Sequence, residues 1–314
     1  MQHLRWAVVL GAAGLCAAAA IAAEPVPVKF LFGAVTAPTD GPARAIGSYT
    51  RGCLAGARQL AVDGPYWQVM RLSRNRNWGH PSAIAFIEKF SRDAATRDGW
   101  SGLLVGDISQ PRGGPMRTGH ASHQIGLDID IWFTPMPDRV LSADERESMS
   151  AVSLLMTGRL SVDPKRWSNL HPRLLKRAAS YPEVARIFVS AAIKKQLCDT
   201  AGADRRWLSK IRPWWGHDYH FHVRLACPPG VAGCTDQAAP GPGDGCGEEL
   251  AEWFRPRPPP KKPAKPPPEL TLADLPAACA DVLNDGGAVA AAPSPESAGT
   301  APVPRVKPAV SGGG

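Results

Sequence analysis

The 314 residues contain no Gly-x-Ser-x-Gly elbow, no phosphate-binding glycine loop and no His-Glu-x-x-His. The first two absences leave serine-hydrolase and nucleotide-binding readings without support. The third excludes metallopeptidases whose ligands share one helix face. No Cys-x-x-Cys occurs, so the cysteines do not form a zinc knuckle. There is no internal repeat, and past residue 22 no run is long and apolar enough to span a bilayer. Nor does the net charge of +8 mark a nucleic-acid face, because Arg255, Arg257, Lys261, Lys262 and Lys265 supply five of the charges within one Pro-rich stretch.

What the chain does have is unevenly placed. Of its 32 prolines, 14 follow Phe254, which separates a single domain from a poorly structured tail. Arg5 and the apolar run Trp6 to Ala22 read as an export signal, with Ala20 and Ala22 as its small-residue cleavage pattern. A retained anchor is the alternative. Cleavage removes Cys16 and leaves Cys53, Cys198, Cys227, Cys234, Cys246 and Cys279, an even set in an oxidising compartment. Cys227 and Cys234 flank Pro228-Pro229-Gly230, which suits a short loop closure.

Residues 28–64 read as irregular and Gly-rich. Strands are predicted at Tyr66–Met70, Leu103–Asp107, Gly126–Ile131, Ala185–Val189 and His220–Leu225. Helices are predicted at Pro81–Arg92, Ser142–Met156, Leu174–Ala179 and Ala191–Leu197, the second opening on a capping box of Ser142 and Glu145. Strands and helices interleave irregularly, so the fold class is α+β: a small antiparallel sheet flanked by helices and long loops.

Five of the eight histidines fall in His120-Ala-Ser-His123 and His217-Asp-Tyr-His220-Phe-His222. Strand period two puts Asp128 and Asp130 on one face, away from Leu127, Ile129 and Ile131. It likewise puts His220 and His222 opposite Phe221 and Val223. Two imidazoles and a carboxylate from neighbouring strands make a three-ligand zinc site with the fourth position open, the arrangement of catalytic zinc. His80 and His171, standing alone, read as satisfied structural residues.

The strings Gly119-His-Ala-Ser-His123-Gln-Ile-Gly-Leu-Asp128-Ile-Asp130 and His217-Asp-Tyr-His220-Phe-His222-Val-Arg224 resemble the penicillin-insensitive murein endopeptidase family, one of the His-x6-Asp plus His-x-His metallopeptidases. So do Ile46–Cys53, Arg186–Val189, Lys195–Cys198, Arg212–Trp214 and Gly241–Gly247, and the likeness covers about residues 40–280. The resemblance implies His123, Asp130 and His222 as Zn2+ ligands, with His120 beside them in the metal set. It implies His220 as general base, with His217 next to it in the catalytic group. It implies disulfides Cys53–Cys279, Cys198–Cys246 and Cys227–Cys234. Where the family can carry an Asp-Gly-Lys-His piece associated with extra metal binding, this chain has Met156-Thr-Gly158-Arg159, which argues against a second metal.

The implied activity is β-lactam-insensitive hydrolysis of D-alanyl–meso-diaminopimelyl cross-links in peptidoglycan, in the periplasm. The alternatives are a D,D-carboxypeptidase or dipeptidase with the same metal site, and a non-catalytic wall-binding protein. Asp128, Trp214 and Trp215 are candidates for substrate contact, although a Trp-Trp pair is more often core. The expected organisation is a signal peptide over 1–23, a catalytic domain over 24–254, and a basic tail over 255–314 tethered through Cys279. After signal cleavage no stable membrane insertion is expected, and no nucleic-acid partner.

Overall fold

A computed structural model describes residues 26–256 and 268–285. The expected signal lies outside them, as do the stretches 257–267 and 286–314 of the expected tail.

Residues 28–64 depart most from the sequence reading. They form a short helix α1 (Val28–Phe32), a hairpin of β1 (Arg44–Ser48) and β2 (Arg51–Ala55), and two-residue strands β3 (Arg58–Gln59) and β4 (Asp63–Gly64). The glycines that suggested a loop are what let the hairpin close. Gly47 has φ +85°, and a Cβ there would sit 2.3 Å from the Arg51 carbonyl oxygen. The chain continues through β5 (Trp67–Val69), β6 (Trp78–Gly79), α2 (Pro81–Asp98), β7 (Leu103–Val105) and β8 (Asp128–Trp132). Next come α3 (Ala143–Ser148), α4 (Leu170–Ser180), β9 (Val184–Val189), α5 (Ala191–Thr200), β10 (Ile211–Pro213), β11 (His220–Leu225), α6 (Glu248–Ala251) and α7 (Ala278–Asn284).

Seven strands make the main sheet, in the order β10-β9-β11-β8-β7-β5-β4. The α+β class and single domain are as expected, and β8, β11 and β9 pair antiparallel at the centre. The sheet is larger than expected and mixed, because β9/β10 and β5/β7 pair in parallel. Its two faces differ in chemistry. Ile129, Ile131, Ile187, Val189, Phe221 and Val223 face a core closed by α2 and α4, where Phe90 meets the Phe221 ring edge-on at 6.4 Å. Asp128, Asp130, His220 and His222 alternate with them on the other face. Burying each large apolar side chain contributes roughly 1.5–3 kcal/mol, which fixes the register and so decides which face the polar residues take.

Helix α2 begins at Pro81, capped by His80, whose Nδ1 accepts from Ser82 N at 3.2 Å; it ends at Gly99 in the left-handed region. His171 stacks on Trp167 with centroids 5.0 Å apart. Both lone histidines are structural. The helix expected over Ser142–Met156 opens on its capping box but stops at Ser148. The Met149 carbonyl instead accepts from Arg71 Nη2 at 2.8 Å, a tertiary bond that local propensity does not reveal. Disulfides join Cys53 to Cys279, Cys198 to Cys246 and Cys227 to Cys234, the pairs the resemblance implied.

Candidate active site

Cross-strand register builds the centre. Asp130 on β8 lies directly opposite His222 on β11, and Asp128 lies opposite Arg224. His123 arrives on the loop before β8 with φ +67°, in the left-handed region. Its backbone N–H donates to Asp128 Oδ2 at 3.0 Å, and its Nδ1 lies 2.7 Å from the Ile108 carbonyl. That carbonyl requires Nδ1 to carry the proton and leaves the Nε2 lone pair free. Gln124 ties the same loop to the hairpin, accepting from Gly52 N at 3.1 Å and donating to Thr50 O at 2.8 Å.

His123 Nε2 then faces His222 Nδ1 at 3.2 Å, while Asp130 Oδ1 lies 3.1 Å from His222 Nδ1, 3.4 Å from His123 Nε2 and 3.5 Å from His220 Nε2. On the far side of the His222 ring, Nε2 lies 2.9 Å from Asp128 Oδ1. That approach is a charge contact rather than an aligned hydrogen bond: among the described residues His222 Nε2 is buried without a hydrogen-bond partner, as is Asp130 Oδ1. An orphaned carboxylate oxygen beside two imidazole nitrogens, that of His123 with its lone pair free, fits a cation. His120 joins them: one atom each from His120, His123 and Asp130 lies within 4.8 Å of the others. His120 Nε2 is also 2.9 Å from Asp107 Oδ2 and 3.6 Å from Asp130 Oδ2.

Electrostatics follow the geometry. Burial alone would raise the Asp130 carboxyl, but His220 and His123 hold it well below the usual carboxylate range. Burial is likewise outweighed at Asp128, by His222 and Arg224. Burial lowers His220 against the pull of Asp130, whereas Asp128 overcomes burial and raises His222. His217 is pushed down to about 3, by burial first and then by the His220 and His222 rings.

The structure thus brings together His120, His123, Asp130, His220 and His222, with the His217 ring 4.8 Å from that of His220. Two expectations are corrected. Asp128, a candidate for substrate contact, has no exposed surface and serves as support: it is held bidentately by Arg224 at 2.7 and 2.9 Å, and the Arg224 guanidinium lies 4.1 Å from the Tyr49 ring centroid. Trp214 and Trp215 are not core; they stand 53% and 59% exposed beyond the end of β10, against Trp253. Arg159, from the piece that departs from the family, pairs with Asp218 at 2.5 Å, between His217 and Tyr219 in sequence. Sequence reading missed Asp107, Arg74, Arg76 and the support role of Arg224. The Asp128/Arg224 pair was detectable in principle as opposite charges on facing strands. Three cavities, of about 320, 490 and 380 Å³, meet at His120.

A histidine–carboxylate cluster on one face of a mixed sheet, open to cavities on several sides, is the architecture of a hydrolase site. The chain belongs to the penicillin-insensitive murein endopeptidase family, whose model matches residues 45–284. Curated relatives carrying that name include one from Haemophilus influenzae, 47% identical over 78% of this chain and 84% of its own length. One from Klebsiella pneumoniae is 43% identical over 80% and 90%. One from Yersinia enterocolitica is 43% identical over 85% and 95%. Among the described residues no helix is long and apolar enough to cross a membrane.

Proposed function

We propose that the chain is an exported zinc endopeptidase that hydrolyses D-alanyl–meso-diaminopimelyl cross-links of peptidoglycan in the periplasm. The observation that carries this reading is the meeting of His123 Nε2, His222 Nδ1 and the orphaned Asp130 Oδ1 within 3.1–3.4 Å. The names of the relatives support murein as the substrate. In this reading residues 1–23 direct export, 24–254 carry the activity and 255–314 form the tail.

His123, Asp130 and His222 hold the zinc, with His120 at the border of the set. The ion, when bound, lowers the pKa of a coordinated water to about 7 and polarises the scissile carbonyl. His220, on the same strand face as His222, takes the proton of the attacking water and returns it to the leaving amine. His217 packs against the His220 ring and fixes its orientation. Asp128 holds the His222 ring and the His123 backbone at once, so one buried carboxylate sets the spacing of two ligands. Attack by water leaves no acyl-enzyme for a β-lactam to trap.

The test is chelation and zinc add-back with purified cross-linked muropeptide dimers. Dimers should fall to monomers, stop falling on chelation, and resume with zinc. Release of free D-alanine from uncross-linked stems, with dimers left whole, would instead support the carboxypeptidase.

A further inference from the structure

Two arginines, Arg71 and Arg74, wall the 320 Å³ cavity beside the histidine cluster, together with Trp132 and Tyr219. Arg71 has no carboxylate partner among the described residues. Its guanidinium donates to Met149 O at 2.8 Å and Arg146 O at 3.3 Å and lies 5.6 Å from the Trp132 ring centroid. Bonds to carbonyls aim a guanidinium without cancelling its charge. Arg74 shares Asp107 Oδ2 with Arg76 and His120, so one carboxylate oxygen faces three cationic or potentially cationic groups, and the Arg74 side chain stays 46% exposed. Asp130, the cavity's other carboxylate, is taken up by the histidines.

The backbone adds an independent observation. Arg71 (φ +58°) and Asn75 (φ +50°) both sit in the left-handed region, one at each end of the short 3₁₀ helix Leu72–Arg74. Such conformations persist in non-glycine residues only where the surroundings hold them, and they gather at ligand sites. Here the fastenings are Glu147 of α3, which accepts from Ser73 N at 2.7 Å and Ser73 Oγ at 3.0 Å, and Trp78 Nε1, which donates to Asn75 Oδ1 at 2.7 Å.

We propose that the Arg71–Arg74 turn is a carboxylate-binding subsite that takes the free carboxylate on the leaving-amine side of the scissile bond. The inference rests on the endopeptidase reading. In a D-alanyl–diaminopimelyl link the carbon bearing the leaving amine also bears a free carboxylate, so that anion falls within a few bonds of the reacting atoms. Arg74 is one carboxylate away from the donor cluster, linked through Asp107 to His120 by contacts of 3.0 and 2.9 Å. A guanidinium pair suits a planar two-oxygen anion better than an ammonium would.

The test uses two synthetic cross-linked dimers, one with this carboxylate free and one with it as the carboxamide, and the zinc-loaded wild type beside Arg71→Gln, Arg74→Gln and Arg71→Lys. The wild type should prefer the free acid by about 10- to 100-fold in kcat/KM, the span of one charge-assisted hydrogen bond. Each Gln variant should lose most of that preference, slowing far more on the acid than on the amide, and Arg71→Lys should restore part of it. A preference that survives both Gln substitutions overturns the subsite, whether or not the overall rate falls. A wild type that cuts both dimers alike sinks the subsite alone. One that cuts neither sinks the endopeptidase reading and the subsite with it.

Discussion

His220 and His222 stand two residues apart on one strand face, yet their surroundings divide their work. His222 has the Asp128 carboxylate 2.9 Å away on one side and faces His123 and Asp130 on the other, whereas His220 touches only the edge of that set, its Nε2 3.5 Å from Asp130 Oδ1. His222→Ala should therefore lose zinc and activity together. His220→Ala should keep its zinc while turnover falls by about 10²–10⁴-fold, the usual contribution of a general base. Zinc content by mass spectrometry beside the endopeptidase rate separates them, and equal loss of metal in both variants would refute the division. At this scale much of the cluster was legible, because strand periodicity alone sorts Asp128, Asp130, His220 and His222 from their apolar neighbours. Asp107 was not. It lies 13 residues from His120 and 31 from Arg76, on segments brought together only by the folded sheet.

Among the elements, α5 shows how a buried cation can be held without a salt bridge. Lys194 lies on its inner face with no exposed surface, and its Nζ donates to Leu208 O at 2.8 Å and Asp244 O at 2.6 Å. Burial first, then the charges of Arg212 and Arg205, pushes its pKa down to about 7 from the ordinary 10.5. A neutral amine still has two N–H groups for the two carbonyls, so losing the proton keeps both bonds and removes the desolvation penalty. Between pH 7 and 10.5 the unfolded chain binds the proton that the folded one has released, so stability attributable to Lys194 rises with pH across that window. Denaturant midpoints at pH 7 and pH 9 should show the wild type gaining on Lys194→Met, and a constant gap would show that Lys194 stays charged. The sequence reading places a helix at Ala191–Leu197, which the structure extends to Thr200, but is silent about Lys194, since Asp244 is 50 residues away. Helix α3 is the opposite case. Its start is written in Ser142 and Glu145, while its end is set by Arg71, far upstream in the chain.

For the whole molecule the question is what binds the two ends of the domain. Leu275, Cys279, Val282 and Leu283 pack with Val28 and Phe32 of α1 and with Ile46, Cys53 and Ala55 of the hairpin, in a core separate from that of the sheet. Val28 N donates to Leu270 O at 2.8 Å, and Arg112 Nη1 reaches the carbonyls of Val282 and Leu283 at 3.0 and 2.7 Å at the end of α7. Composition pointed to a tail after Phe254, and it was the resemblance, through the implied pair Cys53–Cys279, that brought part of it back to the domain. The hairpin so anchored also carries Thr50 and Arg51 into the 490 Å³ cavity at His120, so this second core supports a wall of the site. Cys53–Cys279 closes a separation of 226 residues, and removing such a bridge costs about 2–5 kcal/mol, chiefly by freeing the unfolded chain. The paired variant Cys53→Ser/Cys279→Ser should therefore unfold at markedly lower denaturant, while a chain ending at Asn284, just past the residues that pack, should keep both its midpoint and its endopeptidase rate. If the truncated chain unfolds as early as the paired variant, residues after 284 contribute to this core. If the paired variant unfolds with the wild type, the apolar contacts of α7 hold the segment without the bridge.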